Sequence, residues 1–200
     1  MQNKEFHLPN NSFIGGWFLN NLSICDNFIE YFNSYPSLQS QGHVSGSNGI
    51  PKIDFNVKDS LDIPINVTDN LHFWKSYLLE NQSICNEYIK KFPMCDVYSP
   101  WGILDSTNIQ YYPPGGGYKN WHTERCTGKS LQGSRHLVFM TYLNDVSDEG
   151  ETEFFHQKIK IKPQKGLTLI WPADWTHTHR GIVSKSQEKY ILTGWYNFIN

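Results

Sequence analysis

Lys189-Tyr190-Ile191-Leu192-Thr193-Gly194-Trp195-Tyr196-Asn197-Phe198 decides how this chain is built. Successive strand side chains point to opposite faces, so Lys189, Ile191, Thr193 and Trp195 fall on one face of a strand running through Tyr190 to Phe198. Three earlier segments have the same character: Asn108 to Tyr112, Leu137 to Leu143 and Leu167 to Trp171, separated by Gly, Pro, Asn and Asp turns. Such a series after Pro100 predicts an all-β barrel or sandwich. Any chemistry is expected in this half, because ligands on neighbouring strands can meet without long loops.

Working outward from that strand, His122-Thr123-Glu124 sets an imidazole and a carboxylate at positions i and i+2. A strand presents both to one ion. His177 and His179 repeat the spacing, and strand geometry lets either one complete a set of two histidines and one carboxylate. That set occupies one face of an octahedral ion and leaves positions open for catalysis, as in non-haem Fe(II) oxygenases. Lys189 lies ten residues after His179. A hairpin between them is expected to carry its ammonium into the same pocket, where it would meet the carboxylate of a metal-chelating ligand.

The first half reads as support. Phe13 to Leu19 predicts a strand leading into a helix, with Ser23 as N-cap, Asp26 in a loose capping box, and Ile24, Phe28, Ile29 and Phe32 as the apolar stripe. Residues 38 to 49, rich in Gly, Ser and Gln, read as a mobile loop and a candidate lid. A short strand is expected at Ile53 to Val57, with a turn at Asp59-Ser60. A helix follows from about Asn70 to Phe92, capped by Asp69 or Asn70 and open to a break at Asn81-Gln82-Ser83. These helices are expected to buttress a sheet.

Composition sets bounds on the partners. The 200 residues suggest one domain, and a formal charge of -2 gives no basic footprint for nucleic acid. No run reaches the length of a membrane span and no signal-like segment opens the chain, so a soluble cytoplasmic protein is the expectation. Cys25, Cys85, Cys95 and Cys126 lack zinc-site spacing. Seven Trp, eleven Tyr and twelve Phe would suit either an aromatic-lined pocket or an ordinary core.

With those residues in view, the C-terminal half resembles the 2-oxoglutarate and Fe(II)-dependent oxygenases, and within them the prolyl 4-hydroxylase-like group. The resembling segments are Gln110-Tyr111-Tyr112-Pro113-Pro114-Gly115, Trp121-His122-Thr123-Glu124, Tyr142-Leu143-Asn144-Asp145, and Gly150-Glu151-Thr152-Glu153-Phe154. They continue with Lys165-Gly166, Ile170-Trp171-Pro172, His179-Arg180-Gly181, Lys189-Tyr190 and Trp195. The resemblance implies an α+β protein with a mainly β catalytic core, a double-stranded β-helix or jelly roll buttressed by N-terminal helices. Its single domain, 1-200, would divide into support over 1-106 and the catalytic core over 107-196.

By the same resemblance His122, Glu124 and His179 look like Fe(II) ligands. Lys189 looks like the partner of the distal carboxylate of 2-oxoglutarate, with Tyr112 adding a hydroxyl, Tyr111 as its alternative, Trp195 walling the pocket and Thr193 a further candidate. Arg180, His177 and Trp175 are candidate substrate contacts, while His136 and His156 read as structural. The implied reaction couples oxidative decarboxylation of 2-oxoglutarate, with O₂ and ascorbate as a reductant, to hydroxylation of a C–H bond in a peptide, foremost at proline. Another side chain, a small molecule, or a non-catalytic metal-binding jelly roll are the competing readings. Glu124 stands where the prolyl hydroxylase pattern has aspartate.

Overall fold

A computed structural model describes residues 2–45, 50–125 and 131–199. In chain order the strands are β1 (Gly15–Phe18), β2 (Ser40–Gln41), β3 (His43–Ser45), β4 (Pro51–Ile53), β5 (Lys58–Asp59), β6 (Leu61–Ile65), β7 (Trp101–Gly102) and β8 (Thr107–Tyr112). They continue as β9 (Gly117–Tyr118), β10 (Arg135–Tyr142), β11 (Thr152–Phe154), β12 (Ile159–Ile161), β13 (Leu167–Pro172), β14 (His179–Gly181) and β15 (Lys189–Phe198). Two α-helices, α1 (Ser23–Ser34) and α2 (His72–Lys91), precede β7.

The large antiparallel sheet has the order β1-β13-β10-β15-β8-β6-β2, with β7 paired to the end of β15. A smaller sheet, β12-β11-β14, faces it. β15 lies at the centre of the large sheet and is buried along its length up to Asn197. Tyr190, Leu192 and Tyr196 join the core beneath the helices, and Ile191 and Trp195 join a second cluster between the sheets. Gly194 belongs to the helix side. A Cβ there would sit 2.3 Å from Phe139 Cζ, so the missing side chain is what lets that ring pack.

Both helices follow their apolar spacing. In α1 the buried residues are Ile24, Cys25, Phe28 and Phe32. The cap differs from expectation: Asn21 Oδ1 accepts from the Ser23 amide at 3.1 Å and from its hydroxyl at 2.7 Å. Asp26 pairs with Lys165 instead of closing a capping box. Helix α2 runs unbroken through Asn81-Gln82-Ser83 because each of these polar side chains has a partner. Asn81 Nδ2 donates to the Tyr196 hydroxyl at 2.8 Å, Gln82 to Asn86 at 3.0 Å, and Ser83 to Asn3 at 2.7 Å. Neither Asp69 nor Asn70 caps it: Asp69 accepts from the Asn66 amide and Asn70 from Lys75.

The expected loop 38–49 contains β2, paired with β6, and β3, paired with β4; residues 46–49 lie outside the described residues. The strand expected at 53–57 ends at Ile53 and gives way to a turn, while β6 occupies 61–65, beyond the expected turn at Asp59-Ser60. Cys25, Cys85 and Cys95 are free thiols, and Cys126 lies outside the described residues. No described helix is long and apolar enough to cross a membrane.

Candidate active site

A cavity of about 330 Å³ lies between the two sheets. The large sheet contributes Lys189, Ile191, Thr193 and Trp195 from β15, Gln110 and Tyr112 from β8, and Met140 from β10. Opposite them stand His122, Glu124 and His179. A single antiparallel bridge pairs His122 with His179, their backbones exchanging hydrogen bonds of 3.0 Å in each direction. That bridge, rather than a hairpin, brings together residues far apart in sequence.

Ligand atoms of His122, Glu124 and His179 all lie within 4.8 Å of one another. Glu124 Oε1 is 3.5 Å from His122 Nε2 and 3.4 Å from His179 Nε2. Behind each ring, Nδ1 meets a backbone carbonyl: Asn120 O at 3.0 Å for His122 and His177 O at 2.9 Å for His179. A carbonyl only accepts, so each Nδ1 carries the proton, and both Nε2 lone pairs are left for the cavity. Tyr118 stacks on His122 at 3.6 Å and 7°, while Trp171 and Phe154 pack against His179. The rings are thus fixed in plane as well as in tautomer.

Burial and the neighbouring His179 push the His122 pKa down, which favours neutral imidazole. Burial alone would raise the Glu124 carboxyl, but hydrogen bonding and charge from His122 and His179 hold it well below the usual carboxylate range. Two neutral imidazoles and one carboxylate form a hard, open-sided donor set.

Lys189 sits at one end of the cavity, buried, with its ammonium 3.0 Å from Gly150 O and 5.1 Å from the Tyr112 ring centre. Burial pushes its pKa down to about 8. Tyr112 donates its hydroxyl to Gln110 Oε1 at 2.8 Å, so it turns its ring towards Lys189. Tyr111 falls on the opposite face of β8 and packs on Tyr190. The Thr193 hydroxyl is buried on the cavity wall without a hydrogen-bond partner among the described residues.

Other expectations meet a different geometry. His177 lies outside the cavity, its Nε2 2.9 Å from Ser12 O and its Nδ1 3.0 Å from the Thr176 hydroxyl. Trp175–His177 form a 3-10 turn, so the strand alternation that would have turned His177 inward begins only at His179. Trp175 is 65% exposed and packs edge-on against His156, away from the cavity lining. Arg180 does line the cavity, but its guanidinium pairs with Glu153 at 2.8 Å and stacks on Trp121. The expected hairpin from His179 to Lys189 does not form: β14 pairs with β11 in the small sheet and β15 with β8 and β10 in the large one. Lys189 reaches the pocket from the opposite wall.

Sequence reasoning missed Arg135, Asp105, Lys58 and Asp62. Lys58 and Asp62 form a 2.5 Å ion pair on the cavity wall. Arg135 bonds Asp105 at 2.8 Å and covers the Trp195 ring at 3.4 Å. Arg135 and Asp105 are remote in sequence and meet only in the fold, and although Lys58 and Asp62 are neighbours on β5 and β6, nothing local marks them as cavity residues.

Residues 107–197 match the family model described as the 2OG-Fe(II) oxygenase superfamily. That match spans the C-terminal part of the chain, from β8 to β15, which carries the cluster and Lys189. Its fold is shared with a Pseudomonas putida prolyl-4-hydroxylase, at 14% identity and TM-score 0.68, over 94% of this chain and 93% of that one. A Trichoplax adhaerens prolyl hydroxylase, solved with a hypoxia inducible factor peptide fragment, matches at 17% identity and TM-score 0.72, over 94% and 85%. The viral collagen prolyl hydroxylase of Paramecium Bursaria Chlorella virus-1, solved with 2OG, matches at 18% and 0.64, over 94% and 97%. No curated protein matches the chain by sequence. The double-stranded β-helix flanked by N-terminal helices is the architecture this chain shares with these prolyl hydroxylases. The His/Glu/His cluster is consistent with Fe(II) and 2-oxoglutarate.

Proposed function

We propose that this enzyme hydroxylates peptidyl proline, using Fe(II), O₂ and 2-oxoglutarate. The observation that carries the reading is one cavity holding both a three-donor cluster and a buried ammonium that has no acidic partner within ion-pair distance among the described residues. Polar groups facing that space support the fit: two Nε2 lone pairs, Glu124 Oε1, the Thr193 hydroxyl and the spare donors of Lys189.

In this reading His122, Glu124 and His179 hold the metal, and Lys189 holds the distal carboxylate of 2-oxoglutarate. Tyr112 contributes its ring beside that ammonium, and Thr193 and Trp195 wall the cosubstrate site. When bound, Fe(II) with 2-oxoglutarate and O₂ supplies oxidative decarboxylation to succinate and CO₂, coupled to hydroxylation of an unactivated C–H bond. The protein supplies placement. Met140, Ile191 and Trp171 give the cavity an apolar lining that limits water around the reacting carbon.

A peptide is favoured as substrate because the cavity extends past the cluster to Ser40, His43 and Val44, where β2 and β3 border it, and to Arg180 on the other side. That outline suits an extended chain passing over the site. The buried Lys58–Asp62 pair on the wall keeps a second reading in view, the same chemistry on another side chain or a small polar molecule. Mass spectrometry of peptide-library reactions with Fe(II), ascorbate and 2-oxoglutarate tests both. One added oxygen on proline is the expected result, whereas succinate release without peptide modification refutes the peptide reading.

A further inference from the structure

Glu124 divides its two carboxylate oxygens between different tasks. Oε1 faces the two imidazoles. Oε2 accepts from the Trp195 indole N–H at 3.1 Å and lies 3.5 Å from Arg135 Nη1. The same Nη1 donates to the Glu124 backbone carbonyl at 3.1 Å, so Arg135 grips both the main chain and the side chain of this residue. Arg135 is itself held, by Asp105 on Nη2 at 2.8 Å and by the Trp195 ring against its planar face at 3.4 Å. Its aim comes from the strand: pairing with β15 shifts register between Arg135 and Leu137. Irregularities of this kind re-aim side chains next to active sites.

We propose that Arg135 and Trp195 form a positioning clamp that fixes Glu124 as a single-oxygen metal ligand, and that this clamp adapts the site to glutamate. The inference rests on the reading of Glu124 as a ligand. A glutamate has one more rotatable bond than an aspartate, and in an open cavity that freedom would let the carboxylate swing away from the histidines or chelate through both oxygens. Tying down Oε2 removes both options and leaves Oε1 pointing at the metal position. An aspartate on the same backbone falls one carbon–carbon bond short, so it cannot occupy the Oε1 and Oε2 positions together. Arg135 is suited to this because its planar fork serves Asp105 and Glu124 at once while its face rests on an indole; lysine offers neither.

The test is a Co(II) titration of the metal-free protein, followed by its visible d–d absorption, with melting of each metal-free variant measured in parallel. Trp195→Phe keeps a ring under the guanidinium and removes only the N–H donor. Arg135→Lys keeps the charge and removes the fork. Each is expected to weaken Co(II) binding about 10- to 100-fold, the usual cost of losing an outer partner of a metal ligand, and to change the d–d envelope. Glu124→Asp should cost less in the Trp195→Phe background than in the wild type, because the clamp it fails to satisfy has already been removed. Wild-type affinity and spectrum in both Trp195→Phe and Arg135→Lys would overturn the clamp, as would an equal cost of Glu124→Asp in both backgrounds. Glu124→Ala separates the two levels: wild-type Co(II) affinity there refutes the ligand assignment itself, while loss there with unchanged clamp variants refutes only the clamp.

Discussion

The two faces of β15 are both buried, yet they are built for different purposes. On the helix side Tyr190, Leu192 and Tyr196 meet Phe32, Tyr77, Phe139 and other apolar or neutral groups, with Tyr196 and Asn81 sharing a hydrogen bond. On the other side Lys189 and Thr193 stand among Arg135, Glu124, His122 and His179. The three lysine or arginine side chains that are buried among the described residues, Lys58, Arg135 and Lys189, all line the cavity. Burying a cation is costly unless it is paired or awaits an anion. The helix face therefore stabilises the sheet, while the cavity face holds charge in readiness for ligands.

Substitutions on the two faces should have separable effects. Leu192→Ala, on the helix face, is expected to cost about 2–5 kcal/mol of stability by leaving a cavity, with metal affinity of the folded protein unchanged; chemical denaturation and Co(II) titration check the two halves. Lys189→Met should leave stability near or above the wild-type value, since it removes a buried cation. It should also weaken 2-oxoglutarate binding by roughly ten- to a hundredfold, the worth of a charge-assisted contact of about 1.5–3 kcal/mol. Loss of cosubstrate binding in Leu192→Ala, or normal binding in Lys189→Met, would erase the distinction between the faces.

A pH titration sharpens it further. Burial lowers the Lys189 pKa to about 8, whereas an unfolded lysine titrates near about 10.4. Between those values the unfolded chain binds the extra proton, so the contribution of this group to stability rises with pH across that window. Carboxylate affinity runs the other way, because the anion requires the charged form. In Mn(II)-loaded protein the 2-oxoglutarate Kd should climb towards about tenfold per pH unit above about pH 8. Lys189→Arg should abolish that dependence, as arginine stays charged. The smallest effect is expected from His177→Ala: about 1 kcal/mol of stability from the lost bond to Ser12, read by thermal melting, and none on metal affinity.

What was legible in the sequence follows the same division. Period-two alternation from Lys189 to Trp195 and the i,i+2 pair His122/Glu124 are local signals, and they placed one wall of the cavity and two members of the cluster. His177 misled because it repeats the spacing of His179 in a segment that is a 3-10 turn, where alternation does not apply. Asn81-Gln82-Ser83 reads as a helix break until its partners Tyr196, Asn86 and Asn3 are known, two of them remote in sequence. β6 went unseen because Leu61-Asp62-Ile63-Pro64-Ile65 carries a proline, tolerated here between β8 and the two-residue strand β2 near the sheet edge. Arg135 and Asp105 gain meaning only when remote parts of the chain lie side by side, and the local Lys58–Asp62 pair only once the cavity it lines is known.

The central claim is that the charged face is an Fe(II) and 2-oxoglutarate site closed by His179 and not by its neighbour. Anaerobic addition of 2-oxoglutarate to the Fe(II)-loaded protein tests it directly through the metal-to-ligand charge-transfer band in the visible region. The band is expected in the wild type and in His177→Ala, weaker in Lys189→Ala, and absent in His179→Ala. A wild type with no band, or a band that survives His179→Ala and vanishes with His177→Ala, would contradict the account.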